Sequence, residues 1–108
     1  MAQLEKDLQQ KVVWITGASS GLGKALAQEC ALRGARLVLM ARRFDELENV
    51  RNGLLNADQH VSIAADITNE NQVRQAYVQV LEKFGRIDWL INNAGLSQRA
   101  LIKDTTMQ

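Results

Sequence analysis

Apolar residues occur along this chain in short unbroken runs, separated by stretches where they recur every third or fourth position. That is an alternation of strand and helix patterns. Lys11 to Thr16, KVVWIT, is β-branched and apolar and stops at Gly17, which predicts a strand buried on both faces. Past the next glycines, Leu22, Ala25, Leu26, Glu29 and Cys30 fall at helical spacing, and Gly34 sits where a helix C-terminal glycine belongs. Arg36 to Ala41, RLVLMA, predicts a second strand, and Leu47, Val50 and Leu54 mark one face of a second helix. His60 to Ala65 predicts a third strand that ends at Asp66. Asn69 is placed to cap a helix whose stripe is Val73, Ala76, Tyr77, Val80, Leu81 and Phe84, closed by Gly85. Ile87 to Asn92, IDWLIN, predicts a fourth strand running into a turn at Gly95.

Strands alternating with helices across short loops imply βαβ units on a parallel sheet. Right-handed crossovers then place helices on both faces, so the fold class is α/β, a doubly wound parallel sheet of the Rossmann type. A further helix has only begun near Thr105 where the sequence stops. A sheet ending after its fourth strand leaves that strand an exposed apolar edge, so we expect a fragment, incomplete at the C-terminus.

Composition narrows the function. With 46% hydrophobic residues, 23% charged residues and a net charge of +1, the chain is neither disordered nor a broad basic surface for nucleic acid. Cys30 has no partner for a disulfide. No apolar run reaches the roughly 18 residues of a membrane-spanning helix, and the opening MAQLEKDLQQ lacks a secretory core. A cytoplasmic location, a small-molecule partner and no membrane segment are the expectations.

Residues 16–23 read TGASSGLG, with Gly17, Gly21 and Gly23 between a buried strand and an amphipathic helix. Glycines there allow a sharp turn, close approach of a diphosphate and tight packing of helix on strand. The helix N-terminus aims free N–H groups and a partial positive charge at the phosphates. The nucleoside-triphosphate loop, which needs four residues between its glycines and a hydroxyl after the lysine, does not fit. Five residues separate Gly17 from Gly23, and Ala25 follows Lys24, which reads as a solvated first-turn residue. A glycine-rich turn that binds nothing is the plain alternative.

About 20 residues on, at the end of the second strand, dinucleotide sites for NAD carry a carboxylate for the ribose 2′-hydroxyl. This sequence has Ala41, then Arg42 and Arg43. Guanidinium groups bind a 2′-phosphate through charge-assisted bonds, so the cofactor reads as NADP(H), with Ser19 or Ser20 adding a hydroxyl to the same phosphate. An ordinary basic pair opening a surface helix is the alternative, although a cation there opposes the helix dipole.

TGASSGLG at 16–23, Asp66 ending strand three and Asn92-Asn93-Ala94-Gly95 ending strand four together resemble the short-chain dehydrogenase/reductase family. The likeness covers Lys11 to Gln108 and marks residues 11–108 as the N-terminal part of a dinucleotide-binding domain, behind a polar segment at 1–10. It implies that Gly17, Gly21 and Gly23 line the diphosphate, with Ser19, Ser20 and Leu22 as further cofactor-binding residues of the same loop. Asp66 would take the adenine amino group, or else serve as a loop or capping carboxylate, and Ile67 would border the base. Asn92 would steady the central strands, while Asn93, Ala94 and Gly95 close the far side of the cofactor. Ser97, Gln98 and Arg99 would stand near the substrate entrance, or in a solvated loop.

The family's catalytic Ser, Tyr and Lys lie downstream of such an NNAG turn, and no residue here is assigned a catalytic role. Tyr77 precedes the turn, has Leu81 four residues on, and reads as core. His60 reads as a surface or internally satisfied histidine without metal-ligand neighbours; Cys30 reads as helix core, and Trp14 and Trp89 as packed beneath helices. The resemblance implies a parent enzyme moving hydride between NADP(H) and a carbonyl or secondary alcohol, as a homo-oligomer, this chain being inactive alone. A noncatalytic NADP(H) sensor is the other reading.

Overall fold

The apolar runs at residues 12–16 and 36–41 lie in strands covered on both faces. The structure, a computed structural model, describes residues 7–94. The elements are β1 (Val12–Thr16), α1 (Gly21–Leu32), β2 (Arg36–Ala41), α2 (Phe44–Asn52), a 3-10 turn (Ala57–Gln59), β3 (Val61–Ala64), α3 (Glu70–Phe84) and β4 (Trp89–Asn92). All pairings are parallel, in the order β3-β2-β1-β4. The turn at Gly95 and the helix near Thr105 fall outside the described residues.

Alternation along the strands splits the core in two. Val13, Ile15, Leu37 and Leu39 pack with Ala27, Cys30 and Ala31 of α1 and Leu47 and Val50 of α2. Val12, Trp14, Val38, Met40 and Ile63 face the other way, against Ala76 and Val80 of α3. A large aliphatic side chain buried this way contributes about 1.5–3 kcal/mol, and β1 and β2, buried on both faces, supply the centre of both halves of the core. The end of the polar segment is docked as well: Leu8 N–H donates to the Arg33 carbonyl, and Asp7 pairs with the Arg33 guanidinium at 2.9 Å.

Several boundaries and faces differ from the periodicity. Lys11, His60, Ala65, Ile87 and Asp88 lie just outside the strands assigned to them. Helix α1 buries Gly23, Ala27, Cys30 and Ala31 and leaves Leu22 and Ala25 exposed. Small residues let this helix sit close on the sheet, so its contact face is the small one rather than the most hydrophobic one. Tyr77, 43% exposed, is not core, and Leu81 is exposed beside it. The buried residues of α3 are Val73, Ala76 and Val80, with Phe84 partly buried against the same core, and 77 and 81 lie along the flank. Trp14 is buried as expected, but Trp89, on a strand paired only with β1, is 57% exposed and lies beneath no described helix.

His60 is buried and fully engaged. Its Nδ1 accepts from Leu37 N–H at 3.0 Å, so Nε2 carries the proton and donates to the Leu55 carbonyl at 2.8 Å. Burial, with the nearby Arg51 charge adding, holds its pKa below the ordinary histidine value. A proton on Nδ1 would face the Leu37 N–H. The unfolded chain therefore takes up this proton before the folded one does. Stability is full above pH about 6.5 and declines as pH falls through that value, by at most about 1.4 kcal/mol per unit. Urea midpoints should drop between pH 7 and pH 5.5, and His60→Gln should flatten that slope while lowering stability at pH 7. An equal slope in both proteins would assign the effect to other groups.

Candidate functional site

Strand order reverses between β1 and β4. After β1 the chain winds outward through β2 and β3, then returns across the sheet to β4 on the other side of β1. Loops leaving the carboxyl ends of β1 and β4 therefore diverge, which opens a crevice where doubly wound sheets hold ligands. A cleft of about 960 Å³ lies there, lined by loops from all four strand ends.

The glycine loop forms one wall. Gly17 takes a left-handed φ of +62°, and a Cβ on it would press within 2.9 Å of Ala94 N and Asn93 Nδ2. A Cβ on Gly23 would collide with the Gly17 carbonyl oxygen, so this glycine lets α1 pack against the loop. A Cβ on Gly21 meets no protein atom within 4 Å, so the fold itself does not require glycine there. Among the described residues, nothing accepts from the N–H groups of Ser19, Gly21 or Leu22, while those of Ala18, Ser20, Gly23 and Lys24 are engaged. Three free donors at a helix N-terminus suit an anion.

Ser20 does not present a free hydroxyl. As N-cap of α1 its Oγ donates to the Gly17 carbonyl at 2.9 Å and accepts from Gly23 N and Asn93 Nδ2. One proton and two lone pairs are then used up. Of the two serines expected to reach a phosphate, Ser19 is the one with its hydroxyl uncommitted, and it lines the cleft.

Asn93 Nδ2 donates to the Gly17 carbonyl at 3.0 Å and to Ser20 Oγ at 2.8 Å, strapping the β4 turn to the glycine loop. Thr16 Oγ1 completes the strap by donating to Asn92 Oδ1 at 3.2 Å and accepting from Ala94 N at 3.1 Å. The role expected of Asn92, holding central strands together, is visible in that bond. Thr16 was not foreseen, because nothing local distinguishes it from any strand-ending threonine.

The opposite wall is charged. Arg42 and Arg43 follow β2, and Asp66 and Ile67 follow β3, all lining the cleft. Asp66 Oδ1 accepts from Thr68 N and Thr68 Oγ1 at 2.9 and 2.7 Å. Those bonds, and then the Arg42 charge, hold its carboxyl below the usual range, leaving Oδ2 without a described partner. Glu46 also lines the cleft, one helical turn after Arg43, with 3.5 Å between their charged atoms.

The cleft thus gathers Gly17, Ser19, Ser20, Leu22, Arg42, Arg43, Asp66, Ile67, Asn93 and Ala94. Gly21 and Gly23 are not among its lining residues: Gly23 is buried and shapes the loop, whereas Gly21 is exposed with open space before it, and Gly95 lies outside the described residues, as do Ser97, Gln98 and Arg99. No helix among the described residues is long and apolar enough to cross a membrane.

The family described as short chain dehydrogenase matches residues 11–108. The human protein "Dehydrogenase/reductase SDR family member 7" is 44% identical over 108 residues, covering 95% of this chain and 32% of its own length. A crystal structure of 3-ketoacyl-(acyl-carrier-protein) reductase from Brucella melitensis, complexed with NADH, is 38% identical. It superposes with a TM-score of 0.72 over 78% of this chain and 34% of that one. The C-domain of a bacterial malonyl-CoA reductase, solved with NADP, is 33% identical with a TM-score of 0.76, over 89% of this chain and 16% of that one. The chain spans about a third of the length of the curated relatives it matches.

Proposed function

The chain belongs to the short-chain dehydrogenase family, and on that premise we propose that it is the NADP(H)-binding portion of an oxidoreductase acting on a carbonyl or secondary alcohol. The observation that carries this reading is the cleft at the strand-order reversal, with unclaimed amide donors on one wall and a guanidinium on the other.

The residues present suit a dinucleotide. Gly17 lets the β4 turn close on the glycine loop, and the open position before Gly21 admits a diphosphate to the N–H groups of Ser19, Gly21 and Leu22. Asp66 Oδ2 is free to accept from the adenine amino group, with Ile67 against the base. Arg42 and the Ser19 hydroxyl supply a cation and a donor for a 2′-phosphate. Asn93 and Thr16 act at one remove, fixing the spacing between the two loops. The cofactor, when bound, supplies or accepts the hydride. The contribution of the described residues is to bind and orient it.

Hydrogen exchange tests the binding site directly. Saturating NADPH should slow exchange at the amides of Ser19, Gly21 and Leu22, which start without internal partners. Amides of α3, on the other face of the sheet, should exchange as before. Protection spread evenly over the chain, or none at all, would contradict the site.

A further inference from the structure

The walls that would hold the adenosine end contain two guanidinium groups, Arg42 and Arg43, and two carboxylates, Asp66 and Glu46. Their formal charges offset. A 2′-phosphate carries between one and two negative charges near neutral pH, so selection for it here cannot come from a net positive field. It must come from where each cation stands, and the two cations stand differently.

Arg42 has no ion-pair partner among the described residues and acts on Asp66 only through its charge. Arg43 is held by Glu46, with 3.5 Å between Nη1 and Oε2. Glu46 sits in the first turn of α2, where a carboxylate suits the helix dipole, and its backbone N–H is anchored by Asp45 Oδ1 at 3.0 Å. Arg43, as N-cap of the same helix, makes no side-chain capping bond. The Glu46 carboxylate therefore occupies Arg43 and adds its own repulsion to any phosphate in the cleft.

We propose that Glu46 is a specificity-determining residue that limits how strongly the cleft favours a 2′-phosphorylated dinucleotide, by competing with the phosphate for Arg43. This rests on the dinucleotide reading of the cleft and goes beyond it, because it assigns unequal roles to the two arginines and an opposing role to a residue that the motif pattern does not mark. Glu46 narrows the advantage of the phosphorylated cofactor over one with a bare 2′-hydroxyl.

The test is a double-substitution cycle in the full chain, titrating NADPH and NADH separately at low salt. Glu46→Gln should tighten NADPH by about three- to tenfold, the scale expected of one charge a few ångströms away at partial solvent exposure, and leave NADH within about twofold. The gain should shrink at higher ionic strength. Arg43→Ala should change NADPH affinity little in the unsubstituted chain, but remove most of the gain in the Glu46→Gln background. A merely structural role for Glu46 in α2 would shift both dinucleotides together and would show no coupling to Arg43; that result overturns the inference. NADPH binding that Glu46→Gln leaves unchanged also overturns it, while the dinucleotide reading survives. An unsubstituted chain that binds neither dinucleotide removes that reading, and the inference with it.

Discussion

Gly23→Ala is expected to destabilise the chain by about 3 kcal/mol or more, at the upper end of what overpacking costs. The added Cβ would fall on the Gly17 carbonyl oxygen and lie 2.9 Å from Ala18 Cα, all backbone, with no flexible side chain to move aside. Relief requires α1 to slide off β1 or the loop to open, and Ala18 is buried with the core of that face. Against the roughly 5–15 kcal/mol that holds a domain together, this is a large loss. Urea denaturation measures it, and Gly21→Ala is the control. With nothing within 4 Å of its Cβ, that variant should fold at least as stably as the parent. It should still lose affinity for NADPH, because the methyl group enters the space proposed for the diphosphate. A Gly23→Ala chain within about 1 kcal/mol of the parent would mean that helix and loop are not packed as described.

Arg42→Asp is expected to weaken NADPH by about 100-fold or more and NADH by no more than a few-fold. A charge-assisted hydrogen bond is worth about 1.5–3 kcal/mol, and the new carboxylate would add repulsion where a cation had stood. With Asp66 and Glu46 already lining the cleft, the substitution leaves three carboxylates around one occupied guanidinium. Paired titrations of the two dinucleotides decide the matter. Equal losses for both would place Arg42 in the structural frame of the loop rather than on the phosphate, and unchanged affinity for both would remove it from the site.

Legibility followed burial. Strands β1 and β2 are covered on both faces, so their sequences are continuous apolar runs, and their positions could be read almost to the residue. Helix α3 was equally plain, since Asn69 caps it through Gln72 N and Gly85 closes it with a left-handed φ of +76°. The breadth of its buried face was not. Periodicity marks Tyr77 and Leu81 as apolar neighbours of Val73 and Val80, but how wide a stripe becomes buried depends on how the helix lies on the sheet. Trp89 shows the same limit from the strand side, where an aromatic residue in a strand pattern says nothing about whether a helix lies over it.

The cleft divides in the same way. The glycines, Arg42, Arg43, Asp66 and the Asn-Asn-Ala turn could be picked out because local backbone geometry or charge constrains each one. Thr16 could not, because it matters through Asn92 and Ala94, partners that only folding brings near, and Glu46 could not, because a carboxylate three residues after an arginine is an ordinary helical pair until the fold turns both into the cleft. The choice between Ser19 and Ser20 stayed open for a related reason: a hydroxyl at the start of a helix can cap or can bind, and only the positions of Gly17, Gly23 and Asn93 show that Ser20 caps.

The sequence by itself determined a parallel α/β sheet and the end of it where the cleft opens, because backbone turns, helix caps and two-sided burial are written in residues that are neighbours along the chain. Tertiary structure alone decided which hydroxyl, which amides and which arginine are left free to meet a ligand. Freedom of a polar group is a matter of what else has already bonded to it, and those partners come from strands up to 78 residues apart.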